Sequence, residues 1–176
     1  MPILIVEDGS CPEGANTYAS LVAANAYCLD RGLWTETEDN TAKESALIRA
    51  TDWLNSMDWR GTKVDLLRVM AFPRDSVIIG DKVLLDNNTV PPAIVVACIE
   101  AAAIYYSGAD PMAAKEHGGE IAAYSETVGA LSTSTTYKDG SPAETLYRSV
   151  TGRIKLFLRS VDGAAGGMKF SALVRG

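Results

Sequence analysis

The sequence predicts a mainly α-helical protein: a bundle of about four helices, a small β-ribbon or extended arm, and a flexible C-terminal tail. Three observations predict it. Apolar residues recur three and four apart in separate segments that carry start and stop signals of helices. A serine- and threonine-rich stretch lies between glycines and resists helix, because its side chains are β-branched or compete for backbone hydrogen bonds. A run of glycine and alanine, 163–167, precedes the last residues and suits a tether. At 176 residues and 47% hydrophobic content, rich in alanine, the chain fits one domain with a closely packed core. That domain is expected over 1–162, with the β-ribbon inserted at about 119–138 and the tail over 163–176.

The elements follow in order. Ile3, Leu4, Ile5 and Val6 suggest a short strand or extended arm, closed by Glu7-Asp8-Gly9. The first helix is expected over 20–31: Ser20 is a suitable N-cap, Leu21, Ala24, Tyr27 and Cys28 form one stripe, and Gly32 follows the end. After an acidic connector, the second helix spans 41–57, with Ala46, Leu47, Ala50, Trp53, Leu54 and Met57 inward and Lys43, Glu44 and Arg49 off the stripe. Trp59 to Thr62 reads as a turn, and Leu66, Leu67, Val69 and Met70 are expected to be buried. Residues 77–79 and 83–85 flank Gly80-Asp81 as a small hairpin. The third helix, 92–107, starts at Pro91-Pro92 and is apolar nearly all round, which places it at the centre of the bundle. Residues 120–126 and 131–137 are the two extended stretches of the ribbon. The fourth helix, 141–161, starts at Ser141-Pro142 and packs through Leu146, Val150, Ile154, Phe157 and Val161.

Charge is sorted along the chain. Residues 1–58 carry ten acids and three bases, whereas 119–176 carry five acids and seven bases. From Ser141 on, only Glu144 and Asp162 oppose Arg148, Arg153, Lys155, Arg159, Lys169 and Arg175. An acidic body with a basic arm points to docking on another molecule. The net charge of −6 is too acidic for a protein that coats duplex DNA. Catalytic chemistry has no anchor: there is no phosphate-binding glycine loop, no dinucleotide fingerprint and no nucleophile elbow. The single histidine, His117, lies in a loop composition, and Cys11, Cys28 and Cys98 are too few and too widely spaced for a disulfide framework or a zinc site. The expectation is a protein that is not an enzyme, holds no cofactor or metal, and is made in the cytoplasm without a signal peptide.

A set of short motifs adds to this reading. Val6-Glu7-Asp8-Gly9, Ala15-Asn16-Thr17-Tyr18-Ala19-Ser20 and Lys43-Glu44-Ser45-Ala46-Leu47-Ile48-Arg49-Ala50-Thr51-Asp52-Trp53-Leu54 occur in that order. Trp59-Arg60-Gly61, Ala71-Phe72-Pro73-Arg74, Val90-Pro91-Pro92-Ala93-Ile94 and Ser125-Glu126-Thr127-Val128-Gly129 follow them. Together they resemble a family of tailed-phage proteins labelled DnaT-like single-stranded-DNA-binding proteins, similar in size and order of parts to the head–tail connectors (adaptors) of the virion neck. The resemblance to connectors implies a ring of identical subunits, usually twelve, between the portal protein and a tail or tail-completion protein. Genomic DNA would pass through its lumen without sequence-specific contact. On that reading Arg148, Arg153, Lys155, Arg159, Lys169, Phe170, Leu173 and Arg175 contact the portal, and Tyr124, Val128, Gly129, Leu131 and Tyr137 form an arm between subunits. The alternative is a single-stranded-DNA-binding protein of phage replication. Against it stands the scarcity of aromatics along the basic arm, which holds Tyr147, Phe157 and Phe170.

Overall fold

A computed structural model describes residues 2–35, 39–79, 83–113, 121–127, 132–137 and 147–159. Among these the chain is mainly α-helical: α1 (Leu21–Leu29), α2 (Asn40–Asn55), α3 (Pro92–Tyr106) and α4 (Arg148–Ile154). Three short antiparallel pairs join them: β1 (Thr62–Lys63) with β2 (Arg74–Asp75), β3 (Ile78–Ile79) with β4 (Val83–Leu84), and β5 (Ile121–Thr127) with β6 (Ser132–Tyr137). The pair β5–β6 is the expected ribbon, in register from Ile121 opposite Tyr137 to Thr127 opposite Ser132, with an irregularity between Ile121 and Ala123. The pair β3–β4 is the expected hairpin. No helix among the described residues is long and apolar enough to cross a membrane.

The expected centre of the bundle is α3, which packs against α2, α4 and α1. Ile94, Ala97, Cys98, Ala101 and Ala102 lie along it with no exposed surface. The alanines let the neighbouring helices approach closely, and Leu47, Ala50 and Leu54 of α2 and Val150 and Ile154 of α4 fill the spaces. The predicted Ser20 cap forms, and a second cap, Asp39, comes from the acidic connector. The Ser20 side chain accepts from the Ala23 N–H, and Asp39 accepts from the Thr41 N–H to start α2. Helix α1 ends two residues earlier than expected, at Leu29.

Below the helices a ring cluster closes the core. Phe72 meets Tyr18, Trp59 and Phe157 edge to face, with centroids 6.4, 5.0 and 6.4 Å away. The Tyr18 hydroxyl donates to Asn55 Oδ1 and accepts from the N–H groups of Ala71 and Phe72. Arg74 reaches across this layer. Its guanidinium donates to the carbonyls of Trp59, Arg60, Gly61 and Ala71, and so pins the turn that the sequence places at 59–62. Gly61 is required there: it sits at φ +70°, and a Cβ would fall 2.3 Å from the Asp75 carbonyl oxygen.

Two expectations about burial are corrected. Lys43 and Glu44 do not lie outside the packed face; Lys43 has no exposed surface and Glu44 only 8%. The Lys43 ammonium donates to the Thr35 carbonyl at 2.6 Å and lies 5.5 Å from the Trp34 ring centre, so the connector before α2 folds over it. Conversely Leu66, Leu67 and Val69 are exposed rather than buried, and only Met70 of that run turns inward. The polar groups of the segment, not its apolar ones, are anchored. Lys63 Nζ donates to the carbonyls of Arg68 and Val69, Asp65 accepts from the Leu67 N–H, and Arg68 pairs with buried Glu7. The fourth helix is described over Arg148–Ile154, and its expected start at 141–146 lies outside the described residues.

Candidate nucleic-acid interface

The buried stripe of α4 decides what its other faces present. Val150 and Ile154, with Phe157 just beyond the helix end, point into the core. At 3.6 residues per turn, Arg148 and Lys155 then fall on the opposite side, and both are exposed. Arg159 lies beyond the helix end, where its N–H donates to the Asp58 carbonyl and its guanidinium stands 3.4 Å from the Asp58 carboxylate. Both side chains of that pair are more than 60% exposed, so the contact is worth little and a stronger anion can displace it.

Arg153 and Ser149 lie on the flank that faces α1 and α3. Arg153 donates to Glu100 Oε1 of α3 through Nε at 3.1 Å and Nη2 at 2.7 Å. Nη2 also donates to the Tyr27 hydroxyl, which in turn donates to the same carboxylate oxygen at 2.5 Å. On the other side of the tyrosine, the Arg31 guanidinium stacks on the ring, 3.6 Å from its centre, and donates to the Tyr27 carbonyl. One tyrosine is thus held between two guanidinium groups, with a nearly buried carboxylate beneath. Burial, and then Glu100, raise the Tyr27 hydroxyl above its ordinary pKa. The bond to Glu100 holds Arg153 more firmly protonated.

A cleft of about 320 Å³ opens beside this group, walled by Leu33, Ala103 and Ile104 and edged by Arg31, Ser107 and Ser149. Its size suits a single flat ring with a sugar, near the lower end for small-molecule sites. At the start of α4, Tyr147 meets Trp53 of α2 edge to face, with centroids 5.8 Å apart. Both rings are half-buried and Arg148 is the next residue along. The arrangement can hold phosphates on its guanidinium and ammonium groups and offer aromatic edges and an apolar slot to bases.

Of the residues singled out in the sequence, Arg148, Lys155 and Arg159 are available at the surface, Arg159 with Asp58 beside it, whereas Arg153, though half-exposed, is engaged by Glu100 and Tyr27. Lys169, Phe170, Leu173 and Arg175 lie outside the described residues, as do Val128, Gly129, Leu131 and His117. Tyr124 and Tyr137 sit on β5 and β6, opposite Thr135 and Ile121. Tyr27, Arg31, Glu100 and Trp53 were not among the expected site residues. The available signals were the four-residue spacing of Tyr27 and Arg31 and the lone acid in an otherwise apolar third helix. Among the described residues no three His, Cys, Asp or Glu side chains converge as a metal site would need.

The model of a family described as "Putative DnaT-like ssDNA binding protein" matches residues 2–176. No curated protein and no solved structure matches the chain. The family match overturns the expectation of a head–tail connector. With it go the portal and tail partners, the twelve-fold ring and a DNA that passes without sequence-specific contact, which rested on the likeness to connectors. The family's description names binding and no reaction. The part of the resemblance that stands is the other one: the chain belongs, over essentially its whole length, to the family that carries this DnaT-like description.

Proposed function

We propose that this chain binds single-stranded DNA along α4. The observation that carries the reading is the family match over residues 2–176. The geometry supports it: Arg148, Lys155 and Arg159 neutralise phosphates, Trp53 and Tyr147 contact bases, and the cleft beside Tyr27 admits one base between Arg31 and Ser149. The guanidinium of Arg153 and the carboxylate of Glu100 hold Tyr27, and through it Arg31, in place rather than touching DNA themselves. The net charge of −6 repels the rest of the polymer, so contact stays local and duplex, with its bases stacked away, binds poorly.

Anisotropy of a labelled oligothymidine tests the proposal. Three neutralised phosphates give a slope near −2 in log K against log salt, a loss of about 20-fold between roughly 50 and 200 mM salt. Replacing Arg148, Lys155 and Arg159 together by alanine should abolish most of the affinity and flatten that dependence. No binding at the lower salt, or unchanged binding by the triple variant, sinks the reading.

A further inference from the structure

The segment between β1 and β2 carries an apolar surface that the described fold leaves open. Leu66 is 81% exposed, Leu67 96% and Val69 74%. Its backbone is nonetheless held by the Lys63, Asp65 and Arg68 contacts, and Arg68 also donates to the Pro12 carbonyl at 2.6 Å. Apolar side chains on a fixed frame form a surface, in contrast to those on a frayed loop. Val64, Leu67 and Val69 stand over a groove of about 550 Å³ whose floor includes Ala15 and Met70. Its charged lining is Glu13, Asp65 and Arg68, and Arg68 is neutralised by Glu7, which leaves the groove acidic. The bases beside it are already engaged, Lys63 on carbonyls and Arg68 on Glu7. The groove therefore asks for an occupant that is apolar and basic.

We propose that the occupant is the chain's own C-terminal end, residues 168–175. That stretch, Met168-Lys169-Phe170-Ser171-Ala172-Leu173-Val174-Arg175, carries an apolar middle with a base near each end and no acid, and so complements the groove in both respects. Its starting point is near. Arg159 bonds to Asp58 through its backbone, and the Arg60 N–H donates to the Phe157 carbonyl, so the chain after α4 runs beside the strand that leads into the apolar segment. From Asp58 to Val64 the chain can stretch at most about 20 Å, whereas residues 160–167 can span about 26–29 Å. The glycines at 163, 166 and 167 lower the barrier to the turn this path needs. The proposal is independent of DNA binding and stands or falls separately.

Hydrogen exchange of the full-length chain tests it, comparing wild type with the variant L66D/L67D. Both positions are exposed, so the fold tolerates the change. In the wild type the amides of 168–175 should exchange at least ten-fold more slowly than the same sequence as a free peptide, independently of protein concentration. In the variant that protection should vanish while α3 stays protected. Free-peptide exchange rates at 168–175 in the wild type, or protection that survives in the variant, overturn the proposal. Protection that grows with protein concentration also overturns it, since the groove would then hold the end of a second copy.

Discussion

Replacing Arg153 by methionine removes a cation from a carboxylate that has little water. Glu100 is 8% exposed, and its Oε1 receives three donors, two of them from Arg153. Methionine keeps the apolar stem, so the loss is mainly electrostatic. Stranding one member of a fully buried pair costs about 3–5 kcal/mol. The Arg153 side chain is 44% exposed and Tyr27 still donates to Glu100, so screening lowers the cost to about 1.5–2 kcal/mol. The reverse change is asymmetric. Glu100→Leu leaves only a half-exposed guanidinium and a hydroxyl at the surface, both within reach of water, and places leucine on an apolar helix. It should cost less than about 0.5 kcal/mol. In the Glu100→Leu background, Arg153→Met should likewise cost under about 0.5 kcal/mol, which makes the coupling about 1–1.5 kcal/mol. Urea denaturation of the four proteins of this cycle, at fixed salt and with equal m-values, measures it. Thermal melts should show Arg153→Met about 3–8 °C below wild type. If Arg153→Met costs the same with and without Glu100, the carboxylate does not hold the arginine and the account of this cluster is wrong.

Three further outcomes follow. Leu47→Ala, at a side chain with no exposed surface, should cost about 2–5 kcal/mol, whereas Leu67→Asp, at an exposed side chain, should cost no more than about 1–1.5 kcal/mol, the share that goes with release of residues 168–175; equal costs in urea would contradict the burial described for 64–69. Arg74→Met strands three carbonyls of the turn at 59–62 and that of Ala71 beside Phe72 and should cost about 2–4 kcal/mol, measured the same way. Burial pushes the Cys28 thiol up to about 11 and the Tyr105 hydroxyl up to about 12, so the folded chain keeps protons that the unfolded chain releases. Stability should then be level below about pH 9 and fall as pH rises toward 11–12. Cys28→Ala should make that fall shallower, and an unchanged slope would remove Cys28 as a cause.

What was legible in the sequence shares one property: local residues decide it. Pro91-Pro92 start α3 because the first helical turn has no use for their missing N–H groups. Ser20 caps α1 through its own side chain, and Gly32 and Gly108 adopt the positive φ that follows a helix end. An apolar helix with no polar side has to be central, and α3 is. The failures share the opposite property. Whether Leu66 and Leu67 face inward depends on Glu7, about sixty residues earlier, which draws Arg68 in and leaves its neighbours outside. Whether Lys43 is buried depends on Trp34 and Thr35 folding back over α2. Periodicity assigns a face to a helix but cannot say what later covers it.

The same distinction governs the functional reading. Along the basic arm of the sequence, aromatics are too few beside the charges to form a stacking groove on their own. A stacking site need not be contiguous in the chain. In the fold, Trp53 comes from α2 to meet Tyr147, and Tyr27 comes from α1 to meet Arg153, a residue 126 positions away. Glu100 makes the second meeting possible, since a nearly buried carboxylate on α3 draws the tyrosine hydroxyl and the guanidinium to one oxygen. The basic pole therefore acquires Trp53 and Tyr27 from the acidic first third of the chain. The separation of charge along the sequence does not separate it in space: Arg153 meets Glu100, and Arg159 meets Asp58.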